Sequence, residues 1–284
     1  VLIDNYYGQR GQLERAAELL RPELLKDSPS AAAYMEASLL TYKGGSVGDD
    51  DAFKNAAVLS ERLVDRALKL EPDNVRAISM KTLLLLQAKR HDEFRQLVQR
   101  GLSLDPNDYW LNLQLADYYL QVKKQDKTAL QIYDSFYLRG PGTHYEQKRA
   151  FTYATFKLAD YWHNTASADK LREYAARSER ALHPDDAWQL GEFSRLFTEA
   201  TLFDDGIAYA RKALAIMNYG VGRLNLTVAL YGKATQLAAS NADFAPVLLD
   251  ARGMGIDPDE VRDWFANSTP RVRALLPTLD RLLN

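Results

Sequence analysis

Cysteine is absent from the 284 residues. That removes disulfides, thiolate metal sites and cysteine nucleophiles together, and leaves the redox compartment open. Long apolar runs are missing as well. Runs such as Leu83–Leu86 are far short of the ~18 residues that span a bilayer as a helix, so direct membrane insertion is not expected. There is no basic excess: 36 Lys and Arg face 38 Asp and Glu, for a net charge of −2. Nucleic-acid binders draw affinity from phosphate neutralisation, so a nucleic-acid partner is not expected. The opening Val1-Leu2-Ile3-Asp4 has neither the basic start nor the apolar core of a secretory leader. A first residue of Val rather than Met leads us to expect that an upstream segment has been removed; cytoplasm and periplasm both fit.

Catalytic signatures are also lacking. No two of His91, His144, His163 and His183 lie three to five residues apart, the spacing that pairs zinc ligands on a helix. Gly140-Pro141-Gly142 has no following Lys-Ser/Thr, so it is no phosphate loop, and there is no nucleophile elbow. The paired acids Asp185-Asp186 and Asp204-Asp205 fall at helix starts, where capping and the helix dipole explain them. We expect no enzyme, no catalytic residue, no bound metal and no cofactor.

What the chain has is a repeat. Residues 67–74, Ala-Leu-Lys-Leu-Glu-Pro-Asp-Asn, and residues 101–108, Gly-Leu-Ser-Leu-Asp-Pro-Asn-Asp, are related and offset by 34. Pro29, Pro72, Pro106, Pro141 and Pro184 recur at intervals of 43, 34, 35 and 43. Each unit reads the same way. A second helix, B, ends in an apolar pair such as Leu68 and Leu70. An acid-proline step stops it, because proline lacks the N–H and disfavours helix in the residue before it. Asp or Asn then caps the next first helix, A. The expected pairs are a truncated A helix before B at 11–27, then 30–43 with 51–70, 74–88 with 91–104, 107–122 with 125–138, 143–163 with 167–182, 185–200 with 203–217, and 219–239 with 241–252. Small residues at Ala67, Gly101, Ala181 and Ala213 allow close approach of adjacent helices.

Leu115-Ala116-Asp117-Tyr118-Tyr119, followed by Ala129, Tyr133, Phe136 and Pro141, resembles the tetratricopeptide pattern of large, small and aromatic, then small, aromatic and proline. Residues 187–220 resemble it through Leu190, Phe193, Ser194, Phe197, Ala210 and Ala213. Residues 75–108 keep Ile78, Thr82, Leu85, Val98, Gly101 and Pro106, but carry Lys81 where an apolar residue is expected. The resemblance covers roughly residues 5–220. It implies an all-α, right-handed superhelical solenoid of antiparallel helix pairs, with helices A lining a concave groove. Neighbouring hairpins must stack, since one alone cannot bury its apolar face. Residues 1–253 would form the array of six to seven pairs, and 254–284 a set of capping helices.

Two repeats are too long. One carries Gly44-Gly45-Ser46-Val47-Gly48-Asp49-Asp50-Asp51, read as a loop ending in helix-capping acids and not as a calcium loop, which alternates its ligands with spacers. The other lengthens helix 143–163. Asp257-Pro258-Asp259-Glu260 is a helix start. Thr269-Pro270 repeats it, and Val272, Leu275, Leu276, Leu279, Leu282 and Leu283 form an amphipathic stripe with a kink at Pro277. This segment is read as a cap, with a docking helix for a partner or a missing domain as the rival.

Most of the 16 Tyr and four Trp fall on helices A. If Leu115, Ala116 and Tyr119 take the packing face, then Trp110, Leu113 and Asp117 face the groove. The same register adds Arg76 and Ser79 before them, and Trp188, Gly191 and Arg195 after. Tetratricopeptide domains that grip chaperone C-termini would show Lys-x-x-x-Asn on a helix A; neither that nor its Arg counterpart occurs. The leading expectation is a non-enzymatic scaffold that binds a protein or peptide in its concave groove. The alternative is a structural or self-associating arm of a larger assembly, such as a bacterial envelope or export machine, with homo-oligomerisation kept open.

Overall fold

The computed structural model describes residues 13–45, 50–182 and 186–283. Of the loop expected over 44–51, residues 46–49 lie outside them, as do the truncated first helix A and His183, Pro184 and Asp185; Gly44 and Gly45 instead end one helix, and Asp50 and Asp51 open the next. Helix accounts for 80 % of the structure, and the described residues contain no strand.

The helices are α1 (Leu13–Leu24), α2 (Ala31–Gly45), α3 (Asp50–Leu70), α4 (Val75–Gln87), α5 (His91–Leu104), α6 (Tyr109–Gln121), α7 (Asp126–Arg139) and α8 (Tyr145–Trp162). They continue as α9 (Ala168–Ala181), α10 (Ala187–Glu199), α11 (Phe203–Ile216), α12 (Gly220–Ala239), α13 (Ala245–Gly253), α14 (Pro258–Asn267), α15 (Pro270–Arg273) and α16 (Leu276–Leu283). The chain divides into two compact units, Val1–Ile132 and Tyr133–Asn284.

In the first unit α2 packs on α3 and α4 on α5, and the A helices α2, α4 and α6 touch in succession. The acid-proline punctuation works as its chemistry requires: Asn74 and Asp108 accept hydrogen bonds from the backbone N–H groups of Ala77 and Leu111. Ala67 and Gly101 are buried at the interfaces where close approach was expected. Ala67 packs with Met35, Ala77 and Met80, and beside Gly101 the residues Ile78, Leu85, Phe94, Val98 and Leu111 form a closed core. Lys81, the odd residue in its repeat, bonds to Glu61 at 2.6 Å and Asp65 at 2.7 Å on α3. Its charge links one repeat to the B helix before it.

In the second unit the hairpins are α8 with α9, α10 with α11 and α12 with α13. Gly140 and Gly142, at φ +83° and +61°, make the turn into α8, a backbone region open to glycine. Helix α8 has 18 residues against 13 in α4, α6 and α10, which is where the extra length of that repeat goes. Helix α13 starts later than expected, because Asp243 accepts from Ala245 N and Pro246 follows in the first turn. The C-terminal stripe is two helices and not one kinked helix. The break falls at Ala274 and Leu275, and Pro277 enters the first turn of α16, a position where its missing N–H costs nothing. Val261, Phe265, Val272 and Leu279 from these last helices are fully buried with Leu226, Val228 and Leu230 of α12.

One repeated feature has no glycine signature. Lys89, Lys124, Thr201 and Asn241 each hold a positive φ just after a helix A. The next residue's N–H reaches back into that helix: Arg90 to Leu85 O at 2.9 Å, Gln125 to Tyr119 O at 2.9 Å, Leu202 to Phe197 O at 2.8 Å and Ala242 to Leu237 O at 2.9 Å. At α4, α10 and α12 the bond spans five residues, a Schellman-type end; at α6 it spans six, a turn one residue longer.

Candidate partner-binding site

Helix α10 shows how a site arises from packing. Asp186 caps it by accepting from Gln189 N. Leu190, Phe193, Leu196 and Phe197 are buried, and Phe193 meets Phe156 of α8 edge-on while Phe197 meets Tyr209 of α11. Ser194 donates to Gly206 O at 2.8 Å; a side chain at Gly206 would crowd Ser194 O and Thr198, so α10 and α11 pack closely there. What remains open to solvent, most at Trp188 and partly beyond it, is the stripe Trp188, Glu192, Arg195 and Glu199, spaced i, i+4, i+7, i+11 along one face.

Trp188 is 55 % exposed. It does not hang free, because Tyr219, at the start of α12, lies 5.9 Å from it, tilted by 33°. Tyr219 reaches that place only because position 191 is glycine: a Cβ there would sit 2.2 Å from the Tyr219 hydroxyl oxygen. The hydroxyl donates to Ala187 O at 3.3 Å, and Asn225 Nδ2 donates to Gly191 O at 2.9 Å. The two rings form a fixed aromatic ledge. Burial raises the Tyr219 pKa, and the carboxylates of Glu192 and Asp186 raise it further.

Beyond the ledge the stripe becomes charged. Arg195 bonds to Glu199 at 2.8 Å, Glu192 at 3.2 Å and, across to α8, Asp160 at 3.2 Å. His163 Nε2 lies 3.2 Å from Glu199. Burial alone would weaken Arg195's hold on its proton, but Glu199, Glu192 and Asp160 outweigh it and push its pKa up. Three carboxylates face one guanidinium in this group. At the far end Thr269 donates to Glu199 O at 2.9 Å, so the C-terminal segment bounds the stripe there. No group of His, Asp and Glu able to hold a metal occurs among the described residues.

The expected groove residues divide. Trp188 and Arg195 share this partly open face. Gly191 lies beneath it and positions Tyr219. Arg76 is partly exposed and bonds to Glu36 of α2 at 2.7 Å, and Trp110 is half-buried. Leu113, at 0 % exposure, and Ser79 and Asp117, at 7 % each, are buried, which corrects the expectation that they face an open groove. A helix A in a stack is covered by neighbouring A helices as well as by helix B. Gln114 of α6 donates to Ser79 O at 3.0 Å and accepts from Thr82 of α4. The side of α6 left half-open carries Asn112, Leu115 and Tyr119. The assumed packing face was therefore rotated. Glu192 and Glu199 were readable from their i,i+3 and i,i+4 spacing to Arg195. Asp160, Tyr219 and Thr269 were not, because they arrive from other helices.

Among solved structures, the chain is similar to PilW, described as a widely conserved type IV pilus biogenesis factor. The match has a TM-score of 0.51 and 15 % identity, and covers 87 % of this chain and 98 % of PilW. The fold is that of a helical-repeat protein. No family model and no curated protein matches the chain.

Proposed function

We propose that this chain is a non-enzymatic, tetratricopeptide-like scaffold that docks a protein partner on the α8–α10 face of its second unit. The observation that carries this reading is Trp188. A large aromatic side chain is held exposed on a rigid helix by Gly191 and Tyr219, beside a charged stripe with no core to fill. Aromatic anchors of this kind dominate protein interfaces because they offer large area and few rotors. Arg195 and its carboxylates then set orientation more than affinity. The test is a photo-crosslinking residue at position 192, one turn from Trp188, with one at the exposed Leu249 of α13 as control, in cells of the native host. A discrete adduct with one protein at 192 and not at 249 is expected. The same adducts at both positions, or none at 192, would overturn the reading.

A role within a bacterial envelope assembly is the second reading, supported by a match that spans nearly all of PilW. Deleting the gene should then remove surface pili, and the full gene should restore them. Unchanged piliation rejects this role while leaving the docking face untouched.

A further inference from the structure

In the first unit α5, α6 and the turn after α6 enclose a cleft of about 410 Å³, within the ~300–1,000 Å³ of small-ligand sites. Its floor is apolar: Val98 and Tyr118 are buried, and Leu102, Leu115 and Tyr119 are half-open to it. Its rim carries Arg95, Gln99, Lys123 and Gln125, and no carboxylate lines it. Arg95 reaches only Asp92, at 3.8 Å, on its own helix. Lys123 lies over the Tyr118 ring at 5.7 Å from the centroid. Neither cation has a carboxylate within hydrogen-bonding distance among the described residues. This is unlike the α10 stripe, where Arg195 is surrounded by acids.

An apolar floor under a rim of cationic and amide donors selects one kind of guest. Charged groups on the rim favour an anionic head, and a guanidinium can meet a carboxylate with two parallel bonds. A neutral analogue would keep only the floor, and a cationic one would be repelled. We propose that this cleft binds a small amphiphilic carboxylate, its head at Arg95 and Lys123 and its apolar body on Leu102, Leu115 and Tyr119. The site is independent of the α10 face and would stand if the docking reading failed.

The test is calorimetric titration of the whole chain with decanoate, decanol and decylammonium. Decanoate should bind saturably at one site, decanol about tenfold more weakly, the loss of one charge-assisted contact, and decylammonium not at all. The double variant Arg95→Gln, Lys123→Gln should lose about tenfold in decanoate affinity with an unchanged melting curve, since both side chains are exposed. Leu115→Asp, which puts an acid on the floor, should abolish decanoate binding in protein that still shows a helical spectrum. No saturable decanoate binding below about 1 mM, the weakest end of ordinary ligand affinity, would overturn the proposal. So would equal binding of decanol, or undiminished binding by the double variant.

Discussion

Gly101→Ala tests the close packing of hairpins where sequence and structure agree on a cause. In an isolated helix the change would stabilise by about 1 kcal/mol, since glycine costs backbone entropy. Here a Cβ would sit 2.5 Å from Leu111 Cδ1 and 2.8 Å from Ile78 Cγ2. Ordinary carbon contacts lie near 3.5–4.0 Å, so both neighbours must move by about 1 Å. Both are at 0 % exposure within a closed core, and overpacking of that kind costs about 1–3 kcal/mol. The net expectation is a loss of about 1 kcal/mol. The assay is urea unfolding, read as a shift of midpoint at constant slope. Gly253→Ala is the internal control, because nothing lies within 4 Å of its Cβ; it should be neutral or stabilising. If Gly101→Ala also stabilises by about 1 kcal/mol, as helix propensity alone requires, the close approach of α5 to α4 and α6 is wrong.

Other outcomes follow from the same geometry. Thr201→Gly should stabilise by about 1 kcal/mol, because a β-branched residue sits at φ +61° where only glycine is unstrained; a lower unfolding midpoint would contradict it. Arg195→Ala should cost about 2 kcal/mol, less than the 3–5 of a fully buried pair because Arg195 is 27 % exposed; a neutral melt would show that the carboxylates do not need it. Glu61→Gln should cost about 1 kcal/mol at neutral pH. Burial alone would raise the Glu61 pKa, but bonds from Lys81 and Arg90 outweigh it and lower it. A carboxyl with a depressed folded pKa stabilises above the ordinary glutamate value of about 4.3 and loses that share as pH falls through its folded value. The gap between wild type and variant should therefore close on acidification; a gap independent of pH would refute the linkage.

The helix boundaries were legible because each depends on local chemistry. The Glu71-Pro72 and Asp105-Pro106 steps follow the ends of α3 and α5, Asp257-Pro258 opens α14, and Asn74, Asp108 and Asp186 cap their helices by reaching three residues ahead. The groove was less legible. Which face of a helix A stays open depends on two neighbours, and the sequence of one helix speaks mainly to its own helix B. Leu113 and Asp117 were misplaced for that reason. Trp188 came out exposed because Tyr219, from the next repeat, lies over Gly191 on the same helix. The turns after helices A were hidden for another reason: Lys89, Lys124 and Thr201 hold a left-handed conformation that their residue types do not announce.

The most direct test of the docking account is to measure Trp188→Ala twice, by thermal melting and by crosslinked partner yield from a photo-reactive residue placed at position 192. The account predicts a melt close to wild type, because the ring is more than half exposed and gives up a stacking contact worth about 1 kcal/mol. It also predicts loss of most of the partner adduct, since truncating a true anchor costs about 2 kcal/mol or more of binding. A loss of about 3–5 kcal/mol in stability, the cost of deleting a core tryptophan, or an undiminished adduct, would contradict it.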